Sequence, residues 1–292
     1  MLRKIAKWTG IVLGSLLLLG FAGYWLIARN ITQRTERTYE FAAENLTIPT
    51  DSVTVNRGEH LAVIKGCTDC HGTNLAGKIM IDDEGLGRLV AANLTKGKGG
   101  LPADYVTTDW VRALRHGVDR AGHPLLFMPS HETTMLSEQD MAAIIAYCQQ
   151  IPAVDNELPA HKLGPVVNLM TYLDKMTLLS VEKIDHDRKM VAKVDSTEGI
   201  ALGKYLAVSC SGCHKPDFKG GDPVAPGFPP VPNLTSTGNV GKWTQAQFIA
   251  TLRTGKTPSG HQIDNENMPW KMTAQYEQKE LASLYQYFRS IK

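Results

Sequence analysis

The sequence predicts an all-α chain: one N-terminal transmembrane helix followed by two tandem copies of a helical module. Three observations carry that prediction. Residues 8–28 run without a charge between Lys7 and Arg29. Five short motifs recur in the same order at an offset of about 140 residues, which marks a duplication. No stretch alternates with period two over a useful length, so little or no sheet is expected. The composition is 43% hydrophobic and 21% charged, with a net charge of +2 over 292 residues. Such a chain folds, at a length suited to about two domains, and is neither disordered nor a dedicated nucleic-acid binder.

At about 1.5 Å per residue, the uncharged run over residues 8–28 spans roughly the 30 Å of a bilayer core. Gly20, Phe21 and Ala22 form a small-x-small signal-peptide cleavage site that competes with this reading. Against cleavage, the apolar run continues through Tyr24, Trp25, Leu26 and Ile27, and Tyr24 with Trp25 suits an aromatic belt at the outer interface. An uncleaved anchor is therefore expected, in contact with membrane lipid through residues 8–28. Flanking charge does not orient it, because Arg3, Lys4 and Lys7 are matched by Arg29, Arg34 and Arg37.

The repeated motifs are CTDCH at Cys67–His71 and CSGCH at Cys210–His214, followed by Asn93-Leu94-Thr95 and Asn233-Leu234-Thr235. Next come Leu114-Arg115-His116-Gly117 and Leu252-Arg253-Thr254-Gly255, then Gly122-His123 and Gly260-His261, and finally Met128-Pro129 and Met268-Pro269. Helices are predicted before each CxxCH, at Gly58–Lys65 and Ile200–Ser209. Thr244 with Gln247 reads as a capping box opening a helix that Gly255 closes, with Thr107–Gly117 as its counterpart. Ser137 with Asp140 starts a helix whose Met141, Ile144, Ile145 and Cys148 form one stripe, and Leu281, Leu284, Tyr285 and Phe288 form its partner. Cys148 thus takes the slot of Phe288 and is a packing residue. Gly97–Gly100 and Gly220–Pro232 are loops by composition.

Two cysteines three apart followed by histidine form the c-type haem attachment signature: the sulfurs sit one helical turn apart, and the next residue lies under the iron. Cys67, Cys70, Cys210 and Cys213 are the expected attachment points of two covalently bound haem c groups, with His71 and His214 as proximal iron ligands. A four-cysteine zinc site needs pairs far closer in sequence, and a thioredoxin-type motif needs a strand–helix–strand frame that is absent. Haem c is attached outside the cytoplasm in bacteria, so the amino terminus is inside and both modules lie on the periplasmic side of the inner membrane.

A methionine in the remaining axial position raises the potential and closes the iron. Met128 and Met268 stand before proline at matching places and are the expected ligands. The rivals are Met135, Met272, His123, His131 and His261. Leu94 and Leu234 are expected to pack on the haem rings. Arg115 and Arg253 either fork onto propionates or support the helix ends, and Trp110 and Trp243 serve the haem pocket or the core.

In this order the motifs resemble class I c-type cytochromes. They are similar to the cytochrome c subunits of membrane-bound alcohol and gluconate dehydrogenases, which carry three haem domains where this chain has two. The resemblance covers residues 58–152 and 199–292, and the chain is divided accordingly into tandem cytochrome c domains at 45–152 and 199–292, joined by a connector at 153–198 and preceded by residues 1–44. It also implies single-electron transfer between respiratory-chain partners, with no catalytic residue required. The redox partner is then a dehydrogenase, a quinol-oxidising complex or a terminal oxidase, and nucleic acid is not expected. The alternatives are a haem subunit of a dehydrogenase or terminal oxidase complex, and a dihaem peroxidase, against which both Met-Pro motifs argue. The segment 45–152 carries a net charge of −3 and 199–292 one of +4, a difference able to steer partners.

Overall fold

The structure is a computed structural model describing residues 1–224 and 228–292, so residues 225–227 of the predicted Gly220–Pro232 loop lie outside the described residues. It opens with α1 (Leu2–Thr35), long and apolar enough to cross a membrane, which continues about two turns beyond the C-terminal end of the predicted span. The extension follows from packing: Ile31 is fully buried, and Arg34 forms an ion pair with Glu182. Beyond α1, Phe41 stacks on His116 at 4.2 Å, and Glu44 pairs with Arg115 at 2.9 Å, so the juxtamembrane segment is fastened to the first copy.

The first copy begins with α2 (Ser52–Ile64), capped by Asp51, whose side chain accepts the Thr54 N–H. Next comes α3 (Cys67–His71). A hairpin of β1 (Lys78–Asp83) and β2 (Gly87–Ala91) precedes α4 (Thr107–Val111), whose last turn widens into a π turn at Arg112–His116 and stops at Gly117. Then follow α5 (Ser130–Thr133) and α6 (Glu138–Gln150), the latter opened by the Ser137 cap as predicted. The connector holds β3 (Lys162–Leu163), α7 (Pro165–Tyr172) and a 3₁₀ turn at Ser180–Lys183. The second copy consists of α8 (Ile200–Leu206), α9 (Val208–His214), α10 (Asn239–Lys242), α11 (Gln245–Thr254), α12 (Trp270–Thr273) and α13 (Gln278–Ser290). The predicted Thr244–Gln247 capping box opens α11, and Gly255 in the left-handed region closes it.

The chain is mostly helical, but β1, β2 and β3 form an antiparallel three-stranded sheet that corrects the purely all-α expectation. Its signal is faint because β2 alternates over only five residues, with Gly87, Leu89 and Ala91 turned inward. Asp83 Oδ1 accepts the N–H groups of Gly85 and Leu86 and makes the turn. Gly87 has a positive φ, and a Cβ there would lie 2.0 Å from the Lys162 carbonyl oxygen, so only glycine lets β3 approach.

The connector is bound to the first copy along its length. Val154 C=O accepts from Asn93 Nδ2 and from the Thr95 hydroxyl, and Asn156 Nδ2 donates to Ala76 C=O. In each copy the opening helix crosses the closing helix at a glycine. A Cβ on Gly58 would lie 1.9 Å from Ala143 O, and one on Gly203 would lie 2.0 Å from Ser283 O.

Candidate functional site

The two CxxCH turns are built alike. Each forms a short helix following the opening helix, α3 after α2 and α9 after α8. The backbone leaves each histidine along the same path. The residue after it has positive φ (Gly72 at 80°, Lys215 at 67°), as do Leu75 and Phe218 three residues later. The His71 carbonyl accepts the Gly77 N–H, and the His214 carbonyl accepts the Gly220 N–H. Leu94 N–H then donates to Leu75 C=O, and Leu234 N–H to Phe218 C=O, fixing each Asn-Leu-Thr loop beside its CxxCH turn. Asn93 and Asn233 shape those loops through the same bond, accepting the N–H of Thr95 and Thr235.

This frame sets the tautomer of both imidazoles. His71 Nδ1–H donates to the Ala92 carbonyl at 2.7 Å, and His214 Nδ1–H donates to the Pro232 carbonyl at 2.9 Å. Nε2 is thereby left as the unprotonated donor, the arrangement by which a second hydrogen bond prepares a metal-ligating histidine. Burial pushes both imidazoles below the usual histidine range, outweighing the backbone bonds that pull the other way. The neutral, ligating form is thus favoured. Sequence reasoning did not find the two anchoring carbonyls: each belongs to the residue just before Asn-Leu-Thr, and nothing local pairs it with the histidine.

Cys67, Cys70, Cys210 and Cys213 form no disulfide, and among the described residues no three of His, Cys, Asp and Glu gather into a metal-binding cluster. The four thiols are therefore not arranged as a zinc site. Paired thiols on one helical turn, followed by an imidazole with its Nδ1 occupied, fit covalent haem c.

Met128 and Met268 are half-buried against the main core, and each accepts through its carbonyl from the residue two places on, Ser130 or Trp270. In both copies the following threonine, Thr133 or Thr273, donates to the carbonyl of Leu114 or Leu252. Among the rivals, His123, His261 and Met135 are exposed, and His131 Nδ1 is engaged with the Ser180 hydroxyl. Met272 lies at the junction of the copies, where a Cβ on Gly66 would sit 3.7 Å from its sulfur. Leu94 and Leu234 pack against the core from the Asn-Leu-Thr loops.

The arginines are used differently in the two copies. Arg253 donates to the Ala274 carbonyl, whereas Arg115 pairs with Glu44 and donates to the Arg188 carbonyl. Arg188, from the connector, in turn donates to the Thr134 carbonyl, the place that Arg253 serves in the second copy. Trp110 is buried with its ring edge-on to Tyr105, while Trp243 is half-buried and accepts the Tyr285 hydroxyl through its carbonyl. Cys148 is buried, and burial pushes its thiol far up, as a packing residue requires.

The copies meet through an approximate two-fold arrangement that brings the CxxCH turns to one interface. His60 of α2 bonds Glu280 of α13 at 2.9 Å, and Tyr205 of α8 donates to Asp140 of α6 at 2.8 Å. Tyr276 OH donates to the Ile64 carbonyl just before the first CxxCH, and the Lys65 ammonium lies 5.3 Å from the Tyr205 ring centroid. Glu132 of α5 abuts the second turn: a Cβ on Gly212 would lie 2.6 Å from its Oε1. Burial pushes this carboxyl up to about 7.

Comparison with known proteins agrees with this geometry. The chain is 23% identical over 259 residues to the fructose dehydrogenase cytochrome subunit of Gluconobacter japonicus, covering 81% of this chain and 52% of that protein. It is 35% identical over 98 residues to the gluconate 2-dehydrogenase cytochrome c subunit of Pantoea cypripedii, covering 32% of this chain and 22% of that protein. The chain thus spans about half or less of the length of these curated relatives. The family model for cytochrome c matches residues 55–152 and 200–292, and each segment contains one CxxCH turn with its histidine-anchoring carbonyl. On both grounds the chain belongs to the cytochrome c family, whose domains carry covalently bound haem c.

Proposed function

We propose that this chain is a membrane-anchored dihaem electron-transfer protein that serves as the haem subunit of a membrane-bound dehydrogenase on the periplasmic face of the bacterial inner membrane. The observation that carries the reading is the pair of CxxCH turns with imidazoles held the same way, both turned to one interface between the copies. Bound haem c supplies a one-electron ferric/ferrous couple. Cys67 with Cys70, and Cys210 with Cys213, would hold the two groups by thioethers. His71 and His214 would bind iron through Nε2, kept in place by Ala92 and Pro232. Met128 and Met268 would fill the opposite positions and exclude other ligands, so that little rearranges when charge changes. The close packing of α2, α6, α8 and α13 would hold the two attachment turns at a fixed separation, and α1 would tether both to the bilayer. The relatives' names make a sugar or sugar-acid dehydrogenase the favoured electron donor.

Optical spectra of the anaerobically reduced protein before and after carbon monoxide test this reading. The spectrum should not change, because both irons are closed by methionine. Met128→Ala and Met268→Ala should each open one haem to the gas and lower one of the two midpoint potentials. A haem in the unsubstituted protein that binds carbon monoxide would unseat the axial assignment and favour a peroxidase-like site.

A further inference from the structure

Resting on the reading that α1 spans the bilayer, we propose that α7 is a second membrane contact, lying in the outer interface with its apolar face in the lipid of the periplasmic leaflet. The helix is fastened to α1: Asn168 Nδ2 donates to the Tyr24 hydroxyl at 3.3 Å, and Val167 shares a fully buried cluster with Ile31. It therefore runs beside the last part of the predicted span. Tyr24 stands four residues before Ala28, about 6 Å inside the outer boundary at 1.5 Å per residue. Interfacial helices settle at that depth, with the apolar face about 5–10 Å into the headgroup–acyl boundary.

The two faces of α7 are sharply different. Val167, Asn168 and Thr171 are buried against the protein, while Val166, Leu169 and Tyr172, with Leu173 just beyond, are 40%, 42%, 51% and 54% exposed. A helix packed on a water-soluble surface places polar residues on its outer face. Here the outer face is apolar, as is the exposed surface of α1 against which the helix packs, and exposed apolar surface of this kind marks an interaction site.

The surrounding charges suit an anionic leaflet. Asp174 and Glu182 are paired with Lys183 and Arg34. Arg29, Arg37 and Lys175 carry no ion pair among the described residues, against Glu36 and Glu40 beside Arg37 that carry none either, and Arg29 lies 5.5 Å from the Trp25 ring centroid. These three cations are placed to meet lipid phosphates while Tyr172 and Leu173 enter the acyl region. Gly164 and Pro165 start the helix against the β1–β2 turn, where a Cβ on Gly164 would lie 2.3 Å from Gly85 O. The sheet thus ties the first copy to both membrane contacts.

The test uses the haem-loaded, full-length protein in phosphatidylethanolamine–phosphatidylglycerol vesicles doped with a phosphatidylcholine that carries a diazirine in one acyl chain. After irradiation, peptide mapping should find adducts within 8–28 and within 165–173. Adducts on α1 without adducts on α7 would overturn the inference and leave the anchor standing; adducts on neither would remove the anchor and the inference together. In the double variant Leu169→Glu/Leu173→Glu, labelling of α7 should fall about tenfold, with labelling of α1 and the haem spectrum unchanged. Because both side chains are exposed, the variant should fold, and α7 labelling at the unsubstituted level would also overturn the proposal.

Discussion

His60 and Tyr205 occupy the same place in the two copies, two residues beyond the glycine of each opening helix, and each reaches the buried carboxylate at the third position of the other copy's closing helix. The chemistry differs, because burial keeps the Tyr205 phenol neutral while the histidine can carry charge near neutral pH. Its hydrogen bond to Glu280 raises His60 above the ordinary 6.5 against the pull of burial. Burial alone would lift Glu280, but His60 and the Glu277 N–H outweigh it and hold the carboxyl below 4.5. The histidine's contribution is complete below pH 6.5 and is lost as pH rises through its raised folded value; the carboxyl's is complete above pH 4.5 and is lost as pH falls through its depressed one. Between those pH values, His60→Gln should cost about 1–2 kcal/mol. At a pH well above the histidine's raised folded value most of that difference should have vanished. Denaturant melts of both proteins at the two pH values measure it, and an equal gap at each would mean that His60 stays neutral.

At the scale of elements, the crossing of α8 with α13 depends on Gly203, as that of α2 with α6 depends on Gly58. Alanine at either position puts a Cβ within 2.0 Å of a backbone oxygen. The helices must move apart, at a cost of about 3 kcal/mol or more. Gly203→Ala should therefore lower Tm by roughly 2–4 °C for each kcal/mol lost. Gly199→Ala, whose Cβ meets nothing within 4 Å, should leave it unchanged and serves as the control. These glycines were not legible in the sequence, since a glycine inside a helical stretch gives no hint of what crosses it. The helices themselves were legible, because Ser137, Thr244 and Gly255 are local signals and the second copy checks the first. The sheet was not: β1 and β2 pair through alternation too short to register, and β3 joins from about 70 residues away. The CxxCH turns could be found by spacing, whereas the carbonyls behind His71 and His214 arrive from loops about 20 residues later and exist as partners only in the fold.

For the molecule as a whole, the decisive feature is that the copies share one core. Leu61, Ile64 and Ile144 from the first and Leu206, Tyr276 and Phe288 from the second belong to a single buried cluster. Sequence treats the copies as tandem units because repeats announce likeness, not contact, and the pairs that join them lie as much as 220 residues apart. Modules joined only by a connector would melt separately and let their attachment turns drift. A shared core predicts a single cooperative calorimetric transition for the haem-loaded protein. Two separated transitions would show that the copies fold independently and that electron passage between them depends on a mobile gap. The double variant His60→Ala/Tyr205→Phe removes the bond to Glu280 on one side and, on the other, both bonds of the Tyr205 hydroxyl, the one donated to Asp140 and the one accepted from the Ser137 N–H, while leaving both CxxCH turns untouched. Glu280 keeps the Glu277 N–H and Asp140 keeps Arg57, while the Ser137 N–H loses its acceptor, so a loss of about 2–4 kcal/mol should be shared between the two sides. The transition should fall by about 5–15 °C or divide in two, with haem content unchanged. A midpoint equal to that of the unsubstituted protein would mean that these polar pairs contribute nothing to docking and that the apolar core alone holds the two attachment turns together.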